Sequence, residues 1–226
     1  MNPVRNILKR GLSNVLLIFM IMIEKISNGV KRPFDFISCL IGFIILLPVF
    51  IIIGLAVKLT SVGPIFFRGI RIGRLGKPFR IFKFRTMVPN AEEIGGPSTA
   101  SDDSRLTKIG KFLKKYQLDE LPQLLNVIKG EMSLVGPRPE VPMYIDIMTE
   151  EQKKIILSIR PGMTDLASLW DFHEGEVLKG SSDPEKTYME KIRPEKIRLQ
   201  MEYVKNRSFV LDLKIIFRTI IKVFYG

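Results

Sequence analysis

A run of 22 residues without a single charge, residues 36–57, constrains this chain more than any other feature. About 20 apolar residues in a helix are enough to cross the hydrocarbon core of a bilayer. The length of the run therefore predicts a membrane helix. A buried core helix of a soluble protein is the alternative that composition alone leaves open.

The surroundings of this run argue against a simple crossing. Pro48 lies in its middle, where a proline removes a backbone hydrogen bond and bends a helix. Lys31 and Arg32 precede the run, and Lys58 follows it with further arginines beyond. Because basic residues favour the cytoplasmic side, both ends are expected on that side. We predict a re-entrant helix over residues 31–60 that enters, breaks at Pro48 and returns, with a straight span as the alternative.

The first 30 residues are predicted to form a separate membrane anchor. Basic residues come first, and an apolar stretch follows from Val15 to Ile23. This stretch is shorter than a span requires, and no signal-peptide cleavage site of small residues follows it. We expect residues 1–30 to lie at the membrane surface and residues 61–226 to form a cytosolic catalytic domain.

The balance of charge indicates a negatively charged partner. The chain has 35 Lys and Arg against 23 Asp and Glu, a formal net charge of +12. Such a surplus suits nucleic acid, anionic lipid or a phosphorylated substrate. The uncharged run favours a membrane over nucleic acid, and the aromatic residues show no clear pattern for stacking bases. The one cysteine, Cys39, excludes an intramolecular disulfide and is expected to be a small buried apolar residue.

Two adjacent carboxylates, Asp119 and Glu120, stand where the sequence predicts a helix start. Asp119 is an acceptable N-cap, and Gly130 is expected to end the helix. Arg138 lies between two prolines that fix the backbone, so its guanidinium is directed before a ligand arrives. A guanidinium binds phosphate oxygens in pairs, and the helix dipole favours an ionised Asp119. The pattern suits phosphate chemistry with a carboxylate nucleophile, although Asp-Glu at a helix start is also a common structural cap.

Three segments between these elements have recognisable patterns. Residues 79–85 alternate apolar and basic side chains, which predicts a half-exposed strand. Residues 89–104 are rich in small and acidic residues and predict a mobile loop near the site. Residues 105–117 predict an amphipathic helix with its lysines, Lys114 among them, outward. The apolar residues expected to face inward are Leu106, Ile109, Phe112 and Leu113.

Ser208 is predicted to cap a last helix that runs through Val223. Basic residues recur on this helix every four positions, at Lys214, Arg218 and Lys222. The helix is expected either to dock on the core or to lie in the membrane interface with its basic stripe toward anionic headgroups.

His173, surrounded by acidic residues, is expected to be a loop residue. The sequence has no phosphate-binding glycine loop, no zinc-ligand spacing and no Ser-His-Asp set.

Four motifs closely resemble, in order, those of the bacterial sugar transferases called monotopic phosphoglycosyl transferases. They are KFRTM (83–87), LDELPQL (118–124), NVIKGEMSLVGPRPE (126–140) and RPGMT (160–164). The resemblance extends from about Lys31 to the C-terminus. It implies a mostly helical, membrane-associated α+β domain with a re-entrant helix, a small β element and interfacial amphipathic helices.

The resemblance also implies roles for individual residues. Asp119 would be the catalytic nucleophile, and Glu120 would hold Mg²⁺. The residues that would contact substrate phosphates are Arg138, Lys83, Arg85 and Lys114.

The chain departs from the family pattern at several places. Lys114 stands where the family has an arginine, and a lysine acts on phosphate as a point charge instead of a fork. Leu47 precedes Pro48 where the family usually has serine, so the kink depends on proline alone. Residues 165–168 are Asp-Leu-Ala-Ser where the family often has Gly-Leu-Ala-Gln. This last departure lies where sugar or nucleotide selectivity is expected, so the resemblance does not identify the sugar.

The implied activity is transfer of a sugar-1-phosphate from a nucleotide diphosphate sugar, expected to be a UDP-sugar, to polyprenol (undecaprenyl) phosphate. This reaction would begin bacterial glycoconjugate synthesis at the cytoplasmic face of the inner membrane. The product would be an exopolysaccharide, capsule, O-antigen or glycoprotein. Anionic lipids are expected partners, nucleic acid is not, and a homodimer is left open. The alternative is a non-enzymatic basic peripheral membrane protein that binds anionic lipid or a protein partner.

Overall fold

The computed structural model describes the backbone of residues 3–171 and 173–225, and the side chains of residues 29–171 and 173–223. The helices are α1 (Pro3–Thr60), α2 (Ala91–Ile94), α3 (Lys108–Lys115), α4 (Gln123–Lys129), α5 (Pro142–Asp146), α6 (Glu150–Ile156), α7 (Leu166–Trp170), α8 (Glu174–Val177), α9 (Pro184–Thr187), α10 (Arg193–Asn206) and α11 (Phe209–Tyr225). The strands are β1 (Phe66–Phe67), β2 (Ile70–Ile72), β3 (Pro78–Arg80), β4 (Lys83–Phe84), β5 (Ser133–Val135) and β6 (Gly162–Thr164). The fold is mostly helical with small sheets and one long apolar N-terminal helix, which fits a membrane-associated α+β domain.

Helix α1 runs without interruption from Pro3 to Thr60, through both Pro33 and Pro48. The helix is therefore not interrupted at Pro48 or at residue 30, and its return to the cytoplasmic face stays a prediction. One proline removes one hydrogen bond, and the bonds of the adjoining turns hold the helix together. Residues 29–60 are long and apolar enough to cross a membrane. The side chains of residues 3–28 lie outside the described ones, so the surface anchor stays a prediction.

The described part of α1 has one face toward the rest of the domain and one face away from it. Cys39 and Val57 are buried in a core shared with Leu124 of α4, and Cys39 is a free buried cysteine as predicted. The opposite face exposes the large apolar side chains of Ile37, Ile41, Ile44, Ile45, Ile52, Leu55 and Leu59. An apolar surface of this extent is typical of a membrane or protein contact.

Polar contacts tie both ends of the apolar segment to the same body. At its N-terminal end, Lys31 forms an ion pair with α11, and Asp35 accepts a hydrogen bond from the Ser133 hydroxyl at 2.6 Å. At its C-terminal end, Arg85 donates to the carbonyl oxygen of Ser61 at 2.8 Å. The helix and the domain therefore form one unit along the whole length of the segment.

Among the described residues the strands form three separate pairs. β1 pairs with β4 and β2 with β3, both antiparallel, and β5 runs parallel to β6. The single strand predicted over residues 79–85 is wrong, because β3 ends at Arg80 and β4 begins at Lys83. The interruption is held by Asn126 of α4, whose amide donates to the Arg80 carbonyl at 3.0 Å and accepts from the Phe82 N–H at 2.9 Å.

Helix α3 begins later than predicted, at Lys108, with Thr107 as its N-cap. Leu113 is buried as predicted, whereas Phe112 is 52% exposed and does not belong to the core. A helix this short contributes one row of side chains, Ile109 and Leu113, to the core it shares with α1. Phe112 lies off that row.

Residues 89–104 are mostly exposed, with Ala91, Ser98 and Ala100 buried, and they are held in part by hydrogen bonds, while their mobility stays a prediction. Arg105 reaches into it and donates to the carbonyl oxygens of Gly96 at 2.9 Å and Ser98 at 3.2 Å. The side chain of Ser98 is buried and hydrogen-bonds to Tyr144 at 3.0 Å. Small residues are needed here because they leave room for the arginine and free carbonyls for its donors.

The last helix, α11, docks one face on the domain and leaves the other face apolar and exposed. Ser208 caps it as predicted, accepting a backbone N–H at 3.2 Å. Ile215 is 1% exposed on the docked face, and Phe217 is 65% exposed on the outer face. Of the predicted basic stripe, Lys222 donates to the carbonyl of Leu169 at 2.6 Å and so turns toward the domain.

Candidate active site

The carboxylate pair lies in a 3₁₀ turn, Leu118–Glu120, and not at the start of a helix. Gln117 adopts a left-handed conformation with a φ of 53°, which redirects the chain between α3 and this turn. Helix α4 begins only at Gln123, so the prediction that Asp119 is its N-cap is wrong. Gly130 ends α4 in the left-handed conformation, with a φ of 85°, as predicted.

Glu120 is held firmly by two cations. The Arg138 guanidinium approaches both of its oxygens, with one contact of 3.0 Å from Nη1 to Oε2. Lys83 Nζ donates to Oε1 at 2.8 Å. Burial alone would raise the pKa of Glu120, but Arg138 and Lys83 together hold it well below its ordinary value. Glu120 is therefore an ionised, immobilised carboxylate.

Asp119 differs from its neighbour in having a buried carboxylate without a fixed partner. The residue is 5% exposed, and the described residues give its side chain no hydrogen bond and no ion pair. Burial raises the pKa of Asp119 to about 6, against the opposing charges of Lys83 and Lys114. Near neutral pH this carboxylate is ionised, unengaged and surrounded by positive charge, which suits a nucleophile.

Lys114 reaches the same place from α3. Burial lowers the pKa of Lys114 to about 8, and the nearby Asp119 carboxylate opposes that shift. The sequence pattern placed this lysine outward with the other lysines of the helix. The structure brings it near Asp119 instead, and its contact with substrate phosphate stays a prediction.

Arg138 is positioned by the backbone around it. β5 and β6 approach so closely that a Cβ built on Gly162 would lie 2.1 Å from the nitrogen of Gly136. Gly162 in turn donates to the carbonyl of Pro137 at 2.9 Å. This anchoring, with a proline on each side of the arginine, fixes the direction of the guanidinium toward Glu120. The ion pair with Glu120 raises the pKa of Arg138 further above its ordinary value.

Arg85 does not join these residues. Its guanidinium donates to the carbonyl oxygens of Ser61 at 2.8 Å and Val62 at 2.5 Å, and to the Ser61 hydroxyl at 2.8 Å. Carbonyls at the end of a helix lack intrahelical partners, so an arginine here completes the C-terminus of α1. The predicted phosphate contact by Arg85 is thus replaced by a structural contact.

Sequence reasoning missed three residues that shape the site. Asn126, in the longest of the motifs, joins α4 to the β3–β4 connection and so fixes Lys83 relative to Glu120. Glu174 lies close enough to Arg138 and Lys114 to raise the pKa of both groups, and it forms an ion pair with Lys196. The motif context could have indicated Asn126. The last two lie in charged segments without a distinctive pattern.

The carboxylate pair fits one mode of Mg²⁺ binding. The described residues contain no group of three or more His, Cys, Asp or Glu side chains that could hold a metal ion by themselves. Mg²⁺ commonly uses one or two carboxylates and completes its shell with water and substrate phosphates. Asp119 and Glu120 offer two such carboxylates, and both oxygens of Glu120 already accept from Lys83 or Arg138.

Comparison with known proteins agrees with this geometry. The model of the bacterial sugar transferase family matches residues 26–226. A UDP-N-acetylgalactosamine-undecaprenyl-phosphate N-acetylgalactosaminephosphotransferase from Aeromonas hydrophila is 34% identical over 200 residues, which are 87% of this chain and 44% of the relative. A UDP-glucose:undecaprenyl-phosphate glucose-1-phosphate transferase from Klebsiella pneumoniae is 36% identical over 207 residues, which are 87% of this chain and 41% of the relative.

A third relative has nearly the same length as this chain. The exopolysaccharide production protein PSS from Rhizobium leguminosarum bv. phaseoli is 36% identical over 203 residues, covering 84% of this chain and 93% of the relative. The chain thus spans less than half the length of the first two relatives and most of the third. The resemblance read from the motifs is confirmed, and the chain belongs to the bacterial sugar transferase family.

Proposed function

We propose that this protein is a phosphoglycosyl transferase that moves a sugar-1-phosphate from a UDP-sugar to undecaprenyl phosphate. The observation that carries the proposal is the contrast within the carboxylate pair. Glu120 is locked by Arg138 and Lys83, while the adjacent Asp119 is buried and unengaged among the same cations. The names of the relatives from Aeromonas and Klebsiella support this substrate class. The product would begin the synthesis of a bacterial glycoconjugate.

In the first step, an oxygen of the Asp119 carboxylate attacks the β-phosphorus of the donor. A new Asp119–phosphorus bond forms, and the bond from that phosphorus to the oxygen bridging the two phosphates breaks. Uridine monophosphate leaves with the bridging oxygen and its electron pair. The phosphosugar remains as an acyl phosphate on Asp119.

In the second step, an oxygen of undecaprenyl phosphate attacks the same phosphorus. The bond to Asp119 breaks, and the carboxylate is regenerated with its electron pair. The lipid now carries a diphosphate with the sugar at its end. Both steps displace a group from one phosphorus, so one set of positive groups can serve both.

The basic residues supply that positive set. Lys83, Lys114 and Arg138 surround the carboxylates, and charge developing on the phosphate oxygens is stabilised by donors already in place. Mg²⁺ would be held by Glu120 together with the donor phosphates, and when bound it neutralises diphosphate charge. Glu120 also keeps Arg138 directed into the site.

The attachment of α1 supports a monotopic arrangement at the cytoplasmic face of the inner membrane. A straight span would send the two ends of the segment to opposite faces. The contacts of Asp35 at one end and Arg85 at the other are made with the same body, which carries many charges. Moving one of these ends to the other side of the bilayer would separate its polar groups from their partners or draw them into hydrocarbon. Each polar group left without a hydrogen bond there costs several kcal/mol. We therefore propose that the exposed face of α1 lies in one leaflet.

The outer face of α11 is proposed as a second contact with the membrane. Its exposed apolar residues, Phe217 among them, suit insertion at the level of the headgroups, and Lys214 and Arg218 suit anionic lipids. This arrangement would hold the site where a lipid phosphate and a cytosolic nucleotide sugar meet. A homodimer stays a prediction.

The central experiment replaces Asp119 by Asn in membranes that contain the full chain. We expect release of uridine monophosphate from a panel of UDP-sugars to fall to background, because an amide does not displace the leaving nucleotide. Asp146→Asn is the matched control, since Asp146 is an exposed aspartate at the end of α5.

Two outcomes would count against the proposal. Full turnover by Asp119→Asn would remove Asp119 as nucleophile. Absence of nucleotide release from every donor by the unsubstituted protein, with vesicle binding intact, would favour the non-enzymatic membrane protein instead.

A further inference from the structure

A second polar cluster lies behind Arg138, between helices α7 and α10. We call it the α7–α10 cluster, and its members are Asp165, Ser168, Asp171, Lys196 and Gln200. Lys196 Nζ lies 3.8 Å from Asp171 Oδ2, and it also pairs with Glu174. None of these side chains takes part in the two displacements at phosphorus.

This cluster carries an unusual number of buried polar atoms that make no hydrogen bond. Both amide atoms of Gln200 and one carboxylate oxygen each of Asp165 and Asp171 lack a hydrogen bond to any of the described residues. The Ser168 hydroxyl is in the same state. Gln200 and Asp165 are 0% exposed. Buried polar atoms are nearly always paired in native proteins, so this concentration calls for polar atoms from outside the chain.

The positions along α10 place these atoms on one face. Lys196, Gln200 and Tyr203 recur at helical spacing, and all three are buried. Lys196 meets Asp171 at the end of α7, and Tyr203 packs in a cluster with Leu166 at its start. Gln200 lies between them on the same face and is therefore directed at α7.

The cluster is electrostatically connected to the carboxylate site. β5 runs parallel to β6 with Val135 opposite Thr164, and the Gly136 N–H donates to the Thr164 carbonyl at 3.1 Å, so Arg138 and Asp165 both follow the same end of this strand pair. Burial raises the pKa of Asp165, while its hydrogen bond with the Ser168 backbone and the charges of Arg138 and Lys196 oppose that rise. Arg138 thus lies between the two sites, paired with Glu120 on one side and close to Asp165 on the other. The Arg138 and Glu174 side chains are 33% and 30% exposed, so the boundary between the two sites is open to solvent.

The chemistry of the cluster selects its ligand. Carboxylate oxygens accept from hydroxyl groups and repel phosphates, while an amide and a serine hydroxyl can both donate and accept. We infer that the α7–α10 cluster binds ring hydroxyl groups of the donor, with the diphosphate on the Asp119 side of Arg138, and selects among donors. This inference rests on the proposed function. Two rings of a UDP-sugar carry such groups, the transferred sugar and the ribose.

Selectivity is expected because paired buried groups discriminate strongly. A site that is built to hydrogen-bond a hydroxyl rejects an analogue that lacks it, since its own polar groups are then left unpaired. One oxygen of the Asp165 carboxylate caps α7, and the other lacks a hydrogen bond, so this second oxygen is the acceptor that a ligand hydroxyl would use.

The test uses two variants of the full chain in membranes. Gln200→Leu removes both amide atoms at nearly constant volume, and Asp165→Asn keeps an N-cap oxygen for α7 while it removes the charge. Ile197→Val is the control, because it alters a buried residue of α10 that belongs to a different apolar cluster. Release of uridine monophosphate is measured as kcat/KM for pairs of UDP-sugars epimeric at one hydroxyl, and for a donor with 2′-deoxyuridine. Thermal melting reports folding.

We expect a change of about tenfold in one of these preference ratios for each cluster variant, and none for Ile197→Val. A changed ratio between sugar epimers would assign the cluster to the transferred sugar. A changed ratio between the uridine and 2′-deoxyuridine donors would assign it to the ribose. If both variants fold and turn over with every ratio unchanged, the cluster merely holds buried water and the inference is wrong. If the unsubstituted protein releases no nucleotide from any donor, the proposed function itself is wrong, independently of the role of the cluster.

Discussion

Arg105 and Arg138 both form paired contacts with a carboxylate, but they use their remaining donors differently. Arg105 binds Asp103, with one contact of 2.7 Å, and also donates to three backbone carbonyls of the neighbouring loop. Arg138 binds Glu120, and among the described residues no backbone carbonyl accepts from it. The Arg105 side chain is 9% exposed, and that of Arg138 is 33% exposed.

This difference separates an arginine that maintains the fold from one that is available to a ligand. The donors of Arg105 are consumed by the chain itself, and Arg85 behaves in the same way at the end of α1. Arg138 keeps part of its fork open beside an unengaged carboxylate. The two kinds of arginine should therefore respond oppositely to substitution, in activity for one and in stability for the other.

The largest expected effect is on turnover by Arg138→Ala. Loss of one preorganised donor to a phosphoryl transition state costs about 10²–10³ in rate, which corresponds to about 3–4 kcal/mol. Melting should change little, because Lys83 still neutralises Glu120. Nucleotide release per folded molecule is the measurement. A near-normal kcat with a large fall in melting temperature would instead show that Arg138 maintains the fold, as Arg85 and Arg105 do.

Arg105→Ala should do the reverse. The substitution leaves Asp103 and several loop carbonyls without their donor, at an expected cost of about 3 kcal/mol in the free energy of unfolding. Turnover per folded molecule should remain within about twofold. Denaturant melts and active-site titration on the same preparations separate the two quantities. A tenfold fall in kcat at unchanged stability would contradict the structural assignment.

Arg85→Lys should change stability less than Arg105→Ala does. It distinguishes two assignments, because the family resemblance implies a phosphate contact for Arg85 and the structure shows a contact with the end of α1. An ammonium keeps the charge but cannot reach all the carbonyl and hydroxyl oxygens at the end of α1, so we expect a loss of about 1–2 kcal/mol of stability. The KM for the donor should not change. An increase in that KM at constant melting temperature would restore Arg85 to the phosphate site.

The sequence predicted those features that depend on one residue type or one short motif. Gly130 ends α4 because the left-handed conformation favours glycine, and Ser208 caps α11 because its hydroxyl accepts a backbone N–H. The membrane helix followed from length and lack of charge. The motifs predicted that Glu120 and Arg138 belong to one site, and the structure adds that they bind each other.

The errors arose where a distant contact overrides a local pattern. The strand over residues 79–85 is interrupted because Asn126, far along the chain, captures its backbone. The composition of the segment before Arg105 did not indicate that its carbonyls accept hydrogen bonds from that arginine. Arg85 alternates correctly with its apolar neighbours, yet only the tertiary position of the α1 terminus decides what it binds. The sequence pattern therefore indicates which residue types lie at a site, whereas long-range contacts determine which groups those residues bind.

The smallest effect concerns pH, and it compares Asp119 and Lys114, two groups at the carboxylate site whose pKa values are shifted toward neutrality. Asp119 must be ionised to attack, so turnover should rise through its pKa of about 6. Lys114 must be protonated to stabilise phosphate charge, so turnover should fall through its pKa of about 8. The profile of kcat/KM is therefore expected to be bell-shaped with a maximum near pH 7.

Lys114→Arg tests which group makes the alkaline limb. A guanidinium stays charged at every accessible pH, so the limb should move out of range while the acidic limb from Asp119 stays in place. At pH 9 an amine with a pKa of about 8 is about one-tenth protonated. When kcat/KM of each protein is normalised to its value at pH 7, kcat/KM of the variant at pH 9 should therefore exceed that of the parent by up to about tenfold. Lys115→Arg, at an exposed neighbouring position on α3, should leave the profile unchanged. An alkaline limb that persists at the same pH in Lys114→Arg would mean that another group titrates there, and the charge beside Asp119 would then be supplied by Lys83 and Arg138 alone.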